Sequence, residues 1–240
     1  MRRIRLTTRP AALFGAMLAV ALLLFLPLRL ALGLLDAGES GLTVRSAQGS
    51  VWAGSLTDAH LGQLALGDLK AGLSPWPLLL GRARIELDGR EGVVRPFHGA
   101  ITISRHRTGL DDVTASLATG PLFAPLPVTQ LDLQAVSAHF VDGACQDAEG
   151  RVTVALAPAA AGITLPATLA GSARCDGNAL LLPLQSTAGT ESVTVRIPAA
   201  GTYSAVFLVR PSDPAAAQKL EAAGFAPSAQ GHRLSIEGRF

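Results

Sequence analysis

An uncharged apolar run near the start of the chain constrains its fold more than any other feature. Ala11 to Leu28 reads AALFGAMLAVALLLFLPL, and about 18 consecutive apolar residues suffice for a membrane-spanning helix. Arg29 follows, and its long side chain would reach the headgroups, so the apolar run extends to Leu35. The sequence therefore predicts one transmembrane helix over residues 11–35.

Arginines before the apolar run predict its orientation, because basic flanks remain on the cytoplasmic side of a membrane. No acidic residue lies among them. They are Arg2, Arg3, Arg5 and Arg9. We expect residues 1–10 to form a cytoplasmic tail and residues 36–240 to form a periplasmic domain. This arrangement makes the protein a single-pass protein of the inner membrane.

A cleaved signal peptide is the alternative interpretation of the same segment. The apolar core of a signal peptide is usually about 7–15 residues long, which is shorter than this run and favours an uncleaved anchor. Ala31-Leu32-Gly33 is the small-x-small triplet at which cleavage would occur. Both interpretations export the rest of the chain.

The charge of the exported part argues against a nucleic-acid partner. The whole chain carries a net charge of +2, and subtracting the five arginines up to Arg29 leaves −3 from Leu30 onward. The basic residues of this part are scattered among acidic ones and form no stripe.

Alternating polar and apolar residues predict β-strands in the exported part. Turn pairs such as Asp88-Gly89 and Asp142-Gly143 separate the alternating segments. The segments cover residues 84–88, 101–104, 131–134, 151–156, 193–197 and 234–237. Because no long helical pattern intervenes, the predicted fold class is mainly β, with an antiparallel sheet.

One short helix is predicted near the end of the chain. Asp213 offers an N-cap, Pro214 suits the first helical position, and Gly224 ends the helix. Because a helix of this length is marginal alone, we expect Leu220 and Phe225 to dock it on the sheet.

The segment PLFAPLP, residues 121–127, cannot be a central strand, because its three prolines lack the N–H groups that a ladder requires. We interpret it as an elbow or linker between two lobes, residues 36–120 and 128–240.

The chain has two cysteines, Cys145 and Cys175. In an oxidising compartment they would form a disulfide, and the polar residues that follow each cysteine favour that interpretation. The alternative is a pair of buried thiols.

No pattern of residues predicts catalysis, a metal site or a cofactor. The five histidines lack metal-binding spacings, and the cysteines are too far apart for a redox motif. Neither a nucleophile elbow nor a phosphate-binding loop is present. The neighbouring Asp111 and Asp112 would point to opposite faces of a strand, so we expect them in a turn or at a solvated edge. The sequence thus predicts that the protein is not an enzyme.

The segment GSVWAG, residues 49–54, places Trp52 between Gly49 and Gly54. We expect Trp52 to pack under the membrane-proximal end of the sheet, beside glycines that permit a turn or a bulge. In the alternative, the Trp52 ring faces a partner protein or the lipid headgroups.

Taken in order, these motifs resemble protein N of the bacterial type II secretion system. The resemblance rests on segments spread over most of the chain. They are 49–54 (GSVWAG), 75–81 (PWPLLLG, with Trp76), 169–177 (LAGSARCDG), 180–184 (LLLPL), 201–203 (GTY), Gly224-Phe225 and 236–240 (IEGRF).

The resemblance implies a non-catalytic inner-membrane accessory of the machine that exports folded periplasmic proteins across the outer membrane. It also implies partners among the other inner-membrane subunits. An N-terminal apolar span followed by Gly-x-x-Trp-x-Gly is also similar to AsmA-like proteins, whose β-sheets form lipid-carrying grooves. We therefore expect a curved sheet, in the form of a groove or half-barrel. The alternative function is periplasmic binding or transfer of a phospholipid.

Overall fold

A computed structural model describes residues 10–34, 41–89, 97–160 and 162–239, and its fold is mainly β. The helices within these ranges are short. They are α1 (Pro10–Leu24), α2 (Leu28–Leu34), α3 (Pro75–Leu78) and α4 (Pro214–Ala222). Arg2, Arg3, Arg5 and Arg9, which were predicted to set the orientation, lie outside the described residues.

The strands contain or overlap all six predicted alternating segments. Those before the proline-rich segment are β1 (Leu42–Thr43), β2 (Ser46–Ser50), β3 (Ala53–Leu61), β4 (Leu64–Leu73), β5 (Ala83–Gly89), β6 (Phe97–Ile103) and β7 (Arg107–Ala118). Those after it are β8 (Val128–Val141), β9 (Ala144–Leu156), β10 (Ala159–Ala160), β11 (Ile163–Thr164), β12 (Thr168–Ser172), β13 (Arg174–Asp176), β14 (Ala179–Gln185), β15 (Glu191–Pro198), β16 (Thr202–Val209), β17 (Ala226–Ser228) and β18 (Gly231–Arg239).

One antiparallel sheet of 16 strands contains all of these except β10 and β11, which pair with each other. Its order is β1-β3-β4-β5-β6-β7-β8-β9-β12-β14-β15-β16-β18-β17, with β2 paired to β3 and β13 paired to β14. Neighbours in the sheet are mostly neighbours in sequence, as short connections favour. The mainly β, antiparallel prediction is confirmed. The sheet also runs unbroken through both predicted lobes, because β7 pairs with β8.

The core lies on one face of this sheet. In β16, Tyr203, Ala205, Phe207 and Val209 are buried, whereas the residues between them are half-buried. This period of two is the one that puts alternate side chains on opposite faces of a strand.

The helix α4 begins and ends as predicted. The Asp213 carboxylate accepts a hydrogen bond from the Ala215 N–H at 3.0 Å, and Pro214 occupies the first turn. Gly224 follows the helix with φ of 91°, a conformation that glycine adopts with little strain.

The predicted docking residues attach α4 to the core. Leu220 is 1% exposed, and Phe225 is buried. The Phe225 ring meets the Phe207 ring of β16 edge-on, with centroids 5.8 Å apart. A helix this short therefore obtains its stability from the sheet.

The proline-rich segment, residues 121–127, lies between β7 and β8 and packs into the core. Leu122, Phe123 and Leu126 are all buried. The Tyr203 hydroxyl donates a hydrogen bond to the Leu122 carbonyl, and the Phe123 and Tyr203 rings meet edge-on at 5.4 Å. As predicted, the segment is no strand.

The prediction of one uninterrupted helix over residues 11–35 is wrong, because the chain breaks between α1 and α2. Pro27 has no N–H with which to continue the helical hydrogen-bond ladder. The Leu26 carbonyl instead accepts a hydrogen bond from the Val51 N–H at 3.0 Å. Among the helices of the described ranges, none has the length and the apolar content needed to cross a membrane.

The structure contains the predicted disulfide. Cys145 at the start of β9 is bonded to Cys175 in β13, with Cα atoms 5.5 Å apart and 30 residues of separation. Like β12, which it follows, β13 pairs with β14, and the Ala173 N–H between β12 and β13 donates to the Gly150 carbonyl of β9. The bond therefore joins β9 to the segment beside it and closes a long loop.

We predict that the double variant Cys145→Ser/Cys175→Ser unfolds at a lower temperature than the wild-type chain. A loop of this length contributes about 3–4 kcal/mol in the chain-entropy model. Thermal unfolding of the purified full chain, with and without reductant, measures the loss. Reductant should destabilise only the wild type, and equal melting temperatures of all samples would contradict the prediction.

Candidate functional site

Val51 and Trp52 form the two-residue turn between β2 and β3. On either side of the turn, Ser50 pairs with Ala53, and Gly49 pairs with Gly54. Gly49 has φ of 86°, where a side chain would be strained. We call residues 49–54 the hairpin turn.

Gly54 lies where the hairpin turn meets α2. A Cβ atom at this position would lie 2.5 Å from Leu28 Cδ2, and 3.0 Å from the carbonyl oxygens of Gln48 and Ser50. A side chain here would displace the end of the Leu28 side chain and push the two carbonyl oxygens back by a few tenths of an ångström, so residue 54 is tightly enclosed. In β4, a Cβ on Gly72 would similarly lie 2.9 Å from the Trp52 carbonyl oxygen.

Backbone hydrogen bonds fix the hairpin turn between the N-terminal helices and β4. The Val51 N–H donates to the Leu26 carbonyl, and the Val51 carbonyl accepts from the Leu73 N–H, both at 3.0 Å. Pro27 and Ser50 form an antiparallel bridge beside them. The turn is therefore a junction that joins α1, α2 and the sheet.

The Trp52 side chain is half-buried at the rim of an open cleft of about 560 Å³. The cleft extends over strands β3, β4 and β5, and its walls carry both charged and small residues. They are Gln48, Gly49, Trp52, Ala53, Gly54, Ser55, Lys70, Ala71, Gly72, Glu86 and Asp88. Lys70 and Asp88 are direct cross-strand neighbours, so opposite charges face each other on the cleft floor.

The other motif residues lie apart from the hairpin turn. Trp76 is the second residue of α3, and its side chain is 79% exposed. Gly224 and Phe225 belong to the contact between α4 and the core. The structure thus brings Gly49, Trp52 and Gly54 together, and it places the other motif residues elsewhere.

A second polar feature crosses five strands on the face opposite the core. His139 follows the buried Ala138 in β8, so its side chain points away from the core. Cross-strand pairing then aligns one residue from each of β5 to β9. These residues, which we call the polar row, are Arg84, Thr102, Gly109, His139 and Asp147.

Asp111 connects the members of the polar row. Its Oδ2 atom accepts hydrogen bonds from Arg84 Nη1 at 2.8 Å and from Thr102 Oγ1 at 2.6 Å. Its Oδ1 atom lies 2.8 Å from His139 Nε2, and His139 Nδ1 lies 2.7 Å from Asp147 Oδ2. One imidazole thus bridges two carboxylates, and one carboxylate bridges a guanidinium and the imidazole.

Two local backbone features make this arrangement possible. The register between β7 and β8 shifts between Leu110 and Val113, so Asp111 and Asp112 together lie opposite Ser137. This bulge aims the Asp111 carboxylate at the row. Gly109 leaves room for the imidazole, because a Cβ there would lie 2.4 Å from His139 Cδ2.

The polar row shifts two pKa values in opposite directions. The hydrogen bond to Asp147 raises the pKa of His139 above its ordinary value of 6.5; partial burial opposes the shift, and Asp111 adds to it. Partial burial on its own would raise the pKa of Asp111. The hydrogen bonds from Thr102 and His139 and the charge of Arg84 outweigh it, and they hold that pKa below 3.8.

This geometry suits structural cohesion better than catalysis. Both ring nitrogens of His139 face carboxylate oxygens, so neither is placed to accept a proton from a hydroxyl nucleophile. Two other histidines also face carboxylates, since His98 pairs with Asp88 and His106 pairs with Asp142. In the described part of the chain, no cluster of three or more histidine, cysteine or acidic side chains is suited to a metal ion.

The polar row was not predicted from the sequence. Asp111 was expected in a turn or at a solvated edge, and no partners were assigned to the histidines. Asp111 contacts Arg84 and His139, which lie 27 and 28 positions away from it in the sequence. The one local signal for this arrangement is the pair Asp111-Asp112, which interrupts the alternation of polar and apolar residues. Such an interruption is compatible with a β-bulge.

The hairpin turn and the polar row both lie inside a region that matches a known family. A family model described as Type II secretion system (T2SS), protein N matches residues 40–235. The chain belongs to this family. No curated protein and no solved structure gives a significant match.

Membership in the protein N family confirms the resemblance and supports an accessory role in type II secretion. The matched residues begin just before β1 and end within β18, so the match covers the sheet except for the last four residues of β18. Family membership further implies interaction with other components of the secretion machine.

We predict that Gly54→Ala destabilises the junction between the hairpin turn and α2. The added methyl group meets Leu28 and two carbonyl oxygens, and such overpacking typically costs about 1–3 kcal/mol. Thermal unfolding of the full chain measures the loss. Gly15→Ala in α1 is the matched control, because its Cβ would meet no atom within 4 Å. Equal losses from both variants would contradict the prediction.

We predict that the stabilisation by His139 depends on pH. Because folding raises the pKa of His139, its contribution is full below pH 6.5 and is lost as the pH rises through the raised value. The contribution of Asp111, whose pKa is lowered, is present above pH 3.8 and is lost as the pH falls through the lowered value.

Comparison of His139→Gln with the wild type tests this dependence. We expect a loss of about 1.5–3 kcal/mol at about pH 5.5 and a smaller loss at about pH 8.5. His106→Gln is the control, because the His106–Asp142 pair is largely exposed. A loss that is the same at both pH values would show that the charge on His139 does not contribute.

Proposed function

We propose that the chain is a non-catalytic accessory subunit of the type II secretion machine that supports export of folded periplasmic proteins across the outer membrane. In this proposal, the N-terminal apolar segment holds the subunit at the inner membrane, and the sheet lies in the periplasm. The family match over residues 40–235 is the observation that carries the proposal.

The disulfide supports the periplasmic location of the sheet. Disulfides form and persist in oxidising compartments and are rare in the cytoplasm. Cys145 and Cys175 both lie in the sheet that we place outside the inner membrane. We accordingly propose that residues 1–10 are cytoplasmic and that residues 36–240 form the periplasmic part, with residues 36–120 and 128–240 as its two lobes.

Exposed apolar side chains support attachment to a membrane. They lie along α1 and extend past its end. They are Leu13, Phe14, Met17, Leu18, Val20, Phe25 and Leu30, each at least half exposed. A helix that is apolar on all sides is stable only inside a protein core or in lipid, and none of the described side chains of α1 belongs to the core clusters of the sheet. The inner membrane then supplies the apolar surroundings.

The lipid-transfer alternative receives less support from the described residues. The apolar face of the sheet encloses a cavity of only about 50 Å³. A water molecule occupies about 30 Å³ of liquid, so this space is far too small for an acyl chain. The larger cleft beside Trp52 contains Lys70, Glu86 and Asp88, which are poor neighbours for a hydrocarbon.

Deletion of the coding sequence in the source bacterium tests the secretion role. We predict that folded substrates of type II secretion accumulate in the periplasm, and that expression of the full chain restores their export. The deletion strain is also complemented with the Gly54→Ala variant and, as the control, with the Gly15→Ala variant. Only Gly54→Ala is expected to disturb the junction between α2 and the sheet. Normal secretion in the deletion strain would overturn the proposed function.

Photocrosslinking from the sheet tests the proposed contacts with other subunits. Gln134 is exposed on β8, so a crosslinker at that position disturbs no core contact. We expect adducts that contain inner-membrane components of the machine. Crosslinking from the buried Val152 serves as the negative control, and equal yields at both positions would contradict a surface contact.

A further inference from the structure

The connection between β4 and β5 exposes an apolar tip. We define the apolar tip as Trp76, Leu79 and Leu80, whose side chains are 79%, 78% and 77% exposed. Isolated exposed apolar residues are common on proteins, but three large ones within five positions form a patch. A patch of this kind marks a surface that meets another apolar phase or a partner.

The apolar tip is held in this exposed position by its own backbone. The Leu79 N–H donates to the Trp76 carbonyl at 3.3 Å, and the Leu80 N–H donates to the Pro77 carbonyl at 3.0 Å. The Arg82 N–H also donates to the Pro77 carbonyl at 3.0 Å. Two prolines restrict the backbone further. The side chains therefore project from a defined turn.

The apolar tip lies at the same end of the sheet as the N-terminal helices. β4 ends at Leu73, whose N–H donates to the Val51 carbonyl, and the Val51 N–H donates to the Leu26 carbonyl. The Ser74 N–H donates to the Arg84 carbonyl at the start of β5. These bonds place the apolar tip and the break between α1 and α2 on either side of the hairpin turn.

We propose that the apolar tip is a second membrane contact, which inserts Trp76, Leu79 and Leu80 into the headgroup and upper acyl region of a lipid bilayer. The inference rests on the proposed attachment of the N-terminal segment to the inner membrane. Once α1 is in lipid, the short hydrogen-bonded path through the hairpin turn holds the tip close to the same bilayer.

The chemistry of the tip fits a lipid interface better than a protein surface. An indole ring has an apolar body and one N–H donor, which is why tryptophan concentrates where membranes meet water. Arg82 lies two residues after Leu80 of the tip, and Arg29 is the second residue of α2, just after the break; both are exposed. Guanidinium groups bind lipid phosphates with paired hydrogen bonds while apolar neighbours enter the acyl region.

Tryptophan fluorescence of the full chain tests this contact. The chain contains only Trp52 and Trp76, so Trp52→Phe makes Trp76 the sole tryptophan. The full-length variant is reconstituted into phosphatidylcholine–phosphatidylglycerol vesicles, with or without bromine atoms on the upper acyl chain. We expect the Trp76 emission to shift to shorter wavelength on reconstitution and to lose intensity with the brominated lipid.

Two further variants control the measurement. Trp76→Phe leaves Trp52 as the sole tryptophan, and its half-buried ring should be quenched less than Trp76. Leu79→Ser/Leu80→Ser, in the Trp52→Phe background, removes the apolar neighbours at exposed positions. This change should reduce the quenching of Trp76 without lowering the melting temperature.

Flotation of the same vesicles separates failure of this inference from failure of the proposed function. If the chain floats with the vesicles but brominated lipid does not quench Trp76, the tip does not enter the bilayer, and the proposed membrane attachment stands. A blue-shifted emission without quenching would indicate that the tip contacts a second copy of the chain, and it would contradict insertion into the bilayer. If the chain does not float, both the attachment and the second contact are overturned.

Discussion

The ladder of the three longest strands, β7, β8 and β9, supports the rest of the structure. On one face, Val136 and Ala138 of β8 join the core with Val152 and Val154 of β9. On the other face, the polar row ties the same strands to β5 and β6. Because the two faces of a strand alternate, one register fixes both the apolar contacts and the ionic ones. A slip of one residue would place His139 in the core and Ala138 in water.

Local sequence signals predicted the elements that depend on neighbouring residues. Alternation located the strands, and the Asp213-Pro214 cap and Gly224 bounded α4, because each signal acts within a few residues. The disulfide followed from the expected compartment and from there being only two cysteines. The polar row could not be predicted in the same way. It requires the register of five strands and one bulge at Asp111, and no short segment encodes that combination.

The helix prediction for residues 11–35 failed for a related reason. Hydropathy measures how apolar a segment is, but it does not detect a competing hydrogen-bond partner. Pro27 weakens the helical ladder, and the hairpin turn supplies the Val51 N–H to the Leu26 carbonyl. The glycines of the hairpin turn likewise make contacts with residues that are distant in sequence. Their role was predicted as a freedom to turn, whereas Gly54 also leaves space for Leu28 of α2, which lies against it.

The two edges of the described sheet differ in how much backbone they leave available. At one edge, β1 and β2 both pair with β3, so two short strands cover it. At the other edge, β17 covers only Gly231 to Arg233 of β18, whereas Leu234 to Arg239 pair on one side with β16. Pro227 offers no N–H from β17 itself. An incoming strand would therefore find its longest template on the second half of β18, where main-chain groups face outward from the sheet.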